Sequence, residues 1–242
     1  MIKKVVISAA GRGTRMLDLA KDKPKHLIEI NNKPFLYYSL NNLKQAGFEE
    51  FIMVVGYKKE FMDKFLEEYN KEFNIKIVNQ FEILGEDEYG TACPLKAAKD
   101  LLIDQSFLSV NGDNLYDIKD LQRFNIDDNY NYVAGLPHDQ PQNYGVLQVD
   151  DNGLLKQIIE KPTEHVGNLI NTGLYKFTSE IFDYLDKINL SIRGEYELTD
   201  VVSLLAEQKK VKVIDLQGRW MDFGKPDDVK RVEEYLNAKK NN

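Results

Sequence analysis

The stretch "SAAGRGTRMLDLAKDKPKHL", from Ser8 to Leu27, decides how this chain is read. It follows the apolar run Val5-Val6-Ile7, which reads as a buried strand ending at Ser8. In open α/β sheets, the loop leaving the C-terminal edge of a parallel strand is where ligands bind. Ala9, Ala10, Gly11, Gly13 and Thr14 carry little side-chain bulk, so backbone N–H groups here can approach a phosphate directly. Neither familiar phosphate motif is complete: "GRGTRM" lacks the third glycine of the dinucleotide fingerprint, and no Gly-Lys-Ser/Thr follows. Two cations do follow, Arg15 and Lys25. Converging on one loop they can clamp a polyphosphate; apart, they are solvated surface charges.

Outward from this loop, strands and helices alternate. Pro34–Ala46 reads as a helix with Leu36, Leu40 and Leu43 on one face, and Phe51–Val55 as a second buried strand. Lys58–Tyr69 is a second helix, "IKIVNQ" (75–80) a third strand, Thr91–Leu102 a third helix and "FLSVNGD" (107–113) a fourth strand. This alternation predicts a parallel sheet with helices on both faces. After about Asp128 the pattern changes to strand-like segments separated by turns: "YNYVAGLP", "YGVLQVD", "LLKQIIEKP" and "NLINTGLYKF". Helices are expected near Ser179–Lys187 and Leu198–Gln208, a strand at "VKVIDL", and a closing helix over Pro226–Lys239. With no internal repeat and no Gly/Ser linker, residues 1–242 are expected to form one domain, with halves of about 1–128 and 129–242.

Composition narrows the function classes. The chain has 242 residues, 43% hydrophobic and 29% charged, as in ordinary globular proteins. Its net charge of −7 argues against a nucleic-acid partner, which normally needs a basic face. The single cysteine, Cys93, rules out a disulfide framework within the chain. No window approaches a membrane span, and the N-terminal apolar run is too short for a signal peptide. A cytoplasmic protein with no membrane partner is expected, and nothing argues against a homo-oligomer.

Two carboxylates stand where cation ligands are useful. Asp113 ends an apolar strand behind Gly112, which would allow close approach of a ligand, and Asp222 lies in "WMDFG". From residue type alone each is equally a turn or N-cap aspartate. Three scattered histidines and no serine or cysteine nucleophile motif argue against a hydrolase.

The motifs together resemble the sugar-1-phosphate nucleotidylyltransferases. "AAGRGTRM", then "PKHL", then "KPFLYYSL" match that family's opening signature. "GTACPLKAAKDLL", "VNGDN", "YGVLQVD", "IIEKP", "NTGLYKF", "RGEYELTDVV" and "WMDFGKPDDV" follow in the family's order, so the likeness runs from Val5 to about Val229. The glucose-1-phosphate thymidylyltransferase branch is the nearest match; "GTACPL" also resembles mannose-1-phosphate guanylyltransferases, and "KPFLYYSL" heptose-phosphate guanylyltransferases. Asp18, Ala20 and His26 depart from the family pattern, and His26 is given no role.

The resemblance implies an α/β, Rossmann-like, doubly wound, mostly parallel sheet with a more antiparallel sugar-binding second half. It implies transfer of a nucleotidyl group from an NTP (dTTP or UTP favoured) to a sugar 1-phosphate (glucose 1-phosphate favoured), assisted by Mg2+. Guanylyl transfer to mannose or heptose phosphate, and a non-catalytic binding homologue, are the alternatives. By the resemblance Arg15 holds the departing phosphates, Lys25 the α-phosphate, and Asp113 with Asp222 the metal. Ala9, Ala10, Gly11, Gly13, Thr14, Gln80, Gly90, Thr91 and Gly112 border the nucleotide, with Gln80 on the base edge. Tyr144, Gly145, Glu160, Lys161, Asn171, Thr172, Arg193 and Trp220 border the sugar phosphate. The chain shows no hexapeptide repeats, so the β-helix acyltransferase domain appended in some relatives is not expected.

Overall fold

Val5, Val6 and Ile7 are all fully buried, and their strand lies between two parallel neighbours. The structure is a computed structural model. It describes residues 1–240 apart from Arg12 and Tyr57, and the side chains of Thr14 and Lys240 are also outside the description. In chain order the first half comprises β1 (Lys4–Ser8), the two-residue strands β2 (Glu29–Ile30) and β3 (Lys33–Pro34), α1 (Phe35–Gln45), β4 (Glu50–Val55), α2 (Lys59–Phe73), β5 (Ile75–Asn79), α3 (Gln80–Leu84), α4 (Cys93–Ala98), β6 (Phe107–Asn111), β7 (Asn114–Tyr116) and α5 (Ile118–Arg123). The second half comprises β8 (Asn131–Pro137), β9 (Gly145–Val149), β10 (Leu155–Glu160), β11 (Leu169–Phe177), α6 (Leu198–Glu207), β12 (Val211–Asp215), β13 (Trp220–Asp222) and α7 (Asp227–Lys240).

Among the described residues nine strands form one mixed sheet, with the main order β10-β9-β11-β6-β1-β4-β5. β6, β1, β4 and β5 are parallel, whereas β11 runs antiparallel to β6, β8 and β9. The two halves therefore share a sheet that changes character at β6/β11, and the α/β, mostly parallel expectation holds. The strand period of two explains the layers. Val5 and Ile7 face Leu36, Leu40, Met62 and Phe65 of α1 and α2, while Val6 faces Leu95 of α4 and Val201 of α6. A third cluster pins the closing helix: Val232 of α7 packs with Phe35, Met221 and Phe223, and the Phe35 and Phe223 rings stack at 4.3 Å. Truncating either ring would cost roughly 3–5 kcal/mol and loosen the attachment of β13 to β7.

Several local expectations are corrected. The helix foreseen at Ser179–Lys187 is only a 3₁₀ turn, Ser179–Asp183, followed by further i→i+3 bonds that sink Ile181, Phe182 and Leu185 into the core. The third helix is shorter than Thr91–Leu102, running Cys93–Ala98 before tightening to 3₁₀ at Lys99–Leu101. Strand "IKIVNQ" stops one residue early because the Asn79 side chain accepts from Phe81 N and caps α3, which makes Gln80 helical. α2 instead runs past Tyr69 to Phe73, the next buried residue at four-residue spacing. No helix among the described residues is long and apolar enough to cross a membrane.

Candidate functional site

The chain leaves β1 at Ser8, and the Ala9 amide still pairs with the Val54 carbonyl at 2.8 Å. Ala9 thus extends the sheet, and its N–H is not free for a phosphate as expected. Ala10 and Gly11 face a cavity, and Gly13 takes a left-handed conformation (φ 65°), which glycine adopts without strain. The side chain of Thr14 lies outside the described residues. Arg15 reaches back over the cavity, and Lys25 sits in a buried 3₁₀ turn after Pro24.

Lys25 donates to the Asp113 carboxylate. Asp113 stands in the turn between β6 and β7, fixed by two backbone bonds: Gly112 N to Ser8 O at 2.9 Å, and Phe223 N to Asp113 O at 2.8 Å. Gly112 also has a packing reason that the sequence does not show. A Cβ there would lie 2.9 Å from Ser8 O and 3.2 Å from His26 Cδ2, so glycine permits close packing of β6 on β1 and His26. β13 pairs antiparallel with β7 and sets Asp222 opposite Asn114, beside Asp113.

The two carboxyls respond oppositely. Burial pushes Asp113 up, but Lys25, then His26, outweigh it and hold Asp113 below the usual carboxylate value. Burial, and then the Asp113 charge, push Asp222 up to about 6. Burial and the neighbouring Lys25 lower His26 to about 4, so this enclosed imidazole is neutral. Paired hard oxygen donors of which one resists ionisation suit a divalent cation, whose charge lets both ionise. Among the described residues no group of three or more His, Cys, Asp or Glu is placed to hold a metal.

Two cavities meet at Asp113. The first, about 270 Å³, is lined by Ala10, Gly11, Lys25, Gln80, Gly90 and Thr91. The second, about 240 Å³, is lined by Tyr144, Gly145, Glu160, Lys161, Asn171, Thr172, Arg193, Trp220 and Asp222. Arg15, Thr91, Asn111 and Asp113 line both.

In the first cavity Gln80 is almost fully buried, and its Nε2 donates to the Glu88 carbonyl at 3.2 Å. Its Oε1 has no partner among the described residues, which leaves one free acceptor. Gly90 has φ 137° and lies so close to the Tyr196 backbone that a Cβ would overlap it. Thr91 Oγ1 accepts from Leu198 N at 2.8 Å and donates to Glu197 at 3.3 Å. Segment 89–92 is laced to 191–198 by these bonds and by Tyr196 N to Tyr89 O and Ala92 N to Tyr196 O, each 2.9 Å.

In the second cavity a Cβ on Gly145 would lie 3.0 Å from Glu160, so glycine leaves room for that carboxylate. Arg193 lines this cavity and pairs with three carboxylates: Glu160 at 3.2 Å, Glu195 at 3.2 Å and Glu197 at 3.3 Å. Glu197 is buried and Glu160 and Glu195 are half-buried, and unpaired charge in a cleft is costly, so the three share the nearest cation. Burial raises Glu160 and Glu197 despite that pairing. Asn171 accepts from Gly173 N at 3.0 Å and donates to Tyr175 OH at 2.5 Å. Thr172 is buried, and its carbonyl accepts from Asn114 and Tyr116. Lys161 has φ 43° and no ion-pair partner among the described residues. Trp220 meets Tyr144 edge-on at 5.8 Å, and its buried Nε1 lacks a partner among the described residues.

Glu197, Glu195 and Tyr89 belong to the site without having been singled out in the sequence. Glutamates in a turn-rich segment have no spacing signal, and their partners lie up to about a hundred residues away in sequence.

The Nucleotidyl transferase family model matches residues 4–239. A bifunctional sugar-1-phosphate nucleotidylyltransferase/acetyltransferase of Sulfurisphaera tokodaii is 38% identical over 96% of this chain, which spans 55% of that protein's length. The UTP–glucose-1-phosphate uridylyltransferase AglF of Haloferax volcanii is 34% identical over 96% of both chains. A mannose-1-phosphate guanyltransferase of Saccharomyces cerevisiae is 34% identical over 97% of this chain and 65% of its own length. In fold, a crystal structure of UDP-glucose pyrophosphorylase complexed with UDP-glucose superposes with TM-score 0.85 at 22% identity, covering 99% of this chain and 100% of that one.

Proposed function

We propose that this chain, which belongs to the Nucleotidyl transferase family, joins a sugar 1-phosphate to a nucleoside triphosphate and releases pyrophosphate. The observation that carries this reading is the meeting of two cavities at Asp113, with Lys25 in the first and Asp222 in the second, one walled by small residues and an amide, the other by carboxylate, amide and hydroxyl groups.

An oxygen of the sugar phosphate forms a bond to the α-phosphorus, the bond to the β-phosphate oxygen breaks, and its electron pair leaves with pyrophosphate. The nucleophile is already anionic near neutral pH, since a phosphate monoester's second pKa is about 6. No general base is required, which agrees with a neutral, enclosed His26. The chain's task is to bring two anions together and stabilise the charge that moves. Asp113 and Asp222 would hold Mg2+, which supplies charge neutralisation at the reacting phosphates. Lys25, resting on Asp113, stands where α-phosphate charge develops. Arg15, exposed and common to both cavities, is available to the β- and γ-phosphates. Glu160 and Asn171 offer polar groups to sugar hydroxyls, and Lys161 offers a cation to the sugar's phosphate.

For the base, UTP or dTTP is favoured. Gln80 has one free acceptor, suited to the imide N–H of uracil or thymine, and the full-length relative AglF is named for UTP and glucose 1-phosphate. Guanylyl transfer to mannose 1-phosphate is the second reading, because guanine also presents a ring N–H and the yeast relative is equally similar. A pyrophosphate-release panel crossing five nucleoside triphosphates with glucose, mannose and heptose 1-phosphates tests both. Release confined to uridine or thymidine nucleotides with glucose 1-phosphate supports the first, and release confined to GTP supports the second.

A further inference from the structure

Gln80 can read a base only if its amide points the right way. A carboxamide offers an oxygen on one side and an NH2 on the other, and its surroundings choose between them. Here the Glu88 carbonyl makes the choice by accepting from Gln80 Nε2 at 3.2 Å. A carbonyl cannot donate, so a reversed amide would set two oxygens against each other. Gln80 Oε1 is thereby fixed as the acceptor, and it has no partner among the described residues.

The Glu88 carbonyl lies outside any helix or strand, so no ladder of backbone bonds holds it in place. Its anchor is Lys96. This lysine stands on α4, whose Leu95 and Ala98 are fully buried in the core. Glu88 Oε2 is buried without a hydrogen bond among the described residues, and the Lys96 ammonium at 3.5 Å is the cation that offsets its charge. The same ammonium lies 4.8 Å from the centre of the Tyr196 ring. The Tyr196 backbone in turn holds the rest of the segment, through its bond to Tyr89 O and its contact with Gly90. A third partner, Asp186 at 3.6 Å, is 77% exposed and adds little. Lys96 lines neither ligand cavity, so whatever it does for a ligand passes through Glu88 and Tyr196.

We propose that Lys96 is a positioning residue for base selection: by holding Glu88 it keeps Gln80 presenting an acceptor, which selects bases with a ring N–H over cytosine. The inference rests on the reading above, in which the Gln80 cavity takes the base. Uracil, thymine and guanine each bring a ring N–H to that acceptor. Cytosine brings a ring nitrogen that is itself an acceptor, so two acceptors would face each other unpaired in a buried site. Specificity of this kind comes from rejecting the wrong ligand as much as from holding the right one. Without Lys96 the Glu88 carbonyl is released, and the Gln80 amide is free to reverse and donate to cytosine.

The test is calorimetric titration of UTP, GTP and CTP, with Mg2+ present, into the wild type, Lys96→Met, Lys96→Arg and Glu88→Gln. Thermal melts accompany each protein, and pyrophosphate release is measured with glucose and mannose 1-phosphates. The wild type is expected to bind whichever of UTP and GTP it prefers more tightly than CTP. Lys96→Met is expected to narrow that preference about five- to tenfold, with kcat and the KM for the sugar phosphate within about twofold of wild type. Lys96→Arg keeps the preference. Glu88→Gln narrows it as Lys96→Met does, and combining the two changes nothing further. Glu88→Gln carries the test alone if Lys96→Met unfolds. An unchanged preference in both variants, an equal rise in KM for the sugar phosphate, or additive losses in the double variant overturns the proposal. So does a wild type that binds CTP as tightly as UTP and GTP. Unchanged preference alongside normal pyrophosphate release sinks the role of Lys96 and leaves the transferase standing. A Lys96-dependent preference in binding without any turnover does the reverse.

Discussion

The Lys25 ammonium donates to the Asp113 carboxylate and joins residues 88 positions apart in the chain, with the two side chains only 10% and 17% exposed. A pair so enclosed is a weak contributor to stability when intact, but leaves a costly lone charge when one member is lost, on the order of 3–5 kcal/mol. Asp113 lies where the two cavities meet, so under the proposed transfer the pair serves phosphate chemistry more than stability.

Asp113→Asn, which keeps the shape and removes the charge, is expected to lower turnover by about 10²-fold or more and to abolish its dependence on Mg2+. Steady-state kinetics across a Mg2+ series check this. Near-normal turnover with an unchanged Mg2+ response would remove Asp113 from the metal assignment.

Lys25→Ala is expected to lower kcat by about 10²–10³-fold while moving KM for either substrate much less. A group that acts as charge develops affects kcat, whereas uniform binding affects KM alone. A rise in KM with kcat intact would make Lys25 a simple binding residue.

Asp222 gives a stability prediction with a definite sign. Its carboxyl is raised from 3.8 to about 6, so between those values the folded state binds more protons than the unfolded one. The destabilisation it causes is absent below about pH 4, grows as the pH rises, and is complete above about pH 6. Asp222→Asn is therefore expected to melt higher than the wild type at pH 8, by an amount on the order of 1–2 kcal/mol after allowance for partial solvation, and to match it at pH 4. Saturating Mg2+ should narrow the gap at pH 8 by stabilising the wild type. Denaturant titrations at the two pH values without Mg2+ measure it, and equal stability at pH 8 would contradict the shift.

Gly90→Ala places a methyl group against the Tyr196 backbone at a φ of 137°. It is expected to lower stability by about 1–3 kcal/mol and to raise KM for the nucleotide more than for the sugar phosphate, because segment 89–92 borders the Gln80 cavity. Equal effects on the two KM values would show that the lacing to Tyr196 transmits the change across the site.

Arg193→Met leaves Glu160, Glu195 and Glu197 without their shared cation. KM for the sugar phosphate is expected to rise, and the loss of stability to be larger at pH 8 than at pH 5, where the raised carboxyls of Glu160 and Glu197 accept protons more readily. A pH-independent loss would mean that packing, not charge, is what Arg193 supplies.

Much of this was legible in the chain. Val5–Ile7, the small-residue loop and Leu36–Leu40–Leu43 carry strong periodic signals, and the motif from Ala9 to Lys25 led to the correct family. What stayed hidden depends on distant partners. That Arg193 pairs with Glu160, 33 positions away, has no signal in the sequence. The packing of Gly112 against Ser8 and His26 was equally invisible, since those residues lie about a hundred positions earlier. Three-residue strands such as Trp220–Asp222 are too short for any period to register, yet that strand delivers Asp222.

The central claim is nucleotidyl transfer at the Lys25–Asp113–Asp222 centre. Phosphorus NMR of one reaction, with UTP, glucose 1-phosphate, Mg2+ and the protein, tests it most directly. The expected result is loss of the glucose 1-phosphate signal, with matched growth of free pyrophosphate and of the two coupled resonances of a sugar diphosphonucleotide. Inorganic phosphate growing from UTP while glucose 1-phosphate persists would contradict it.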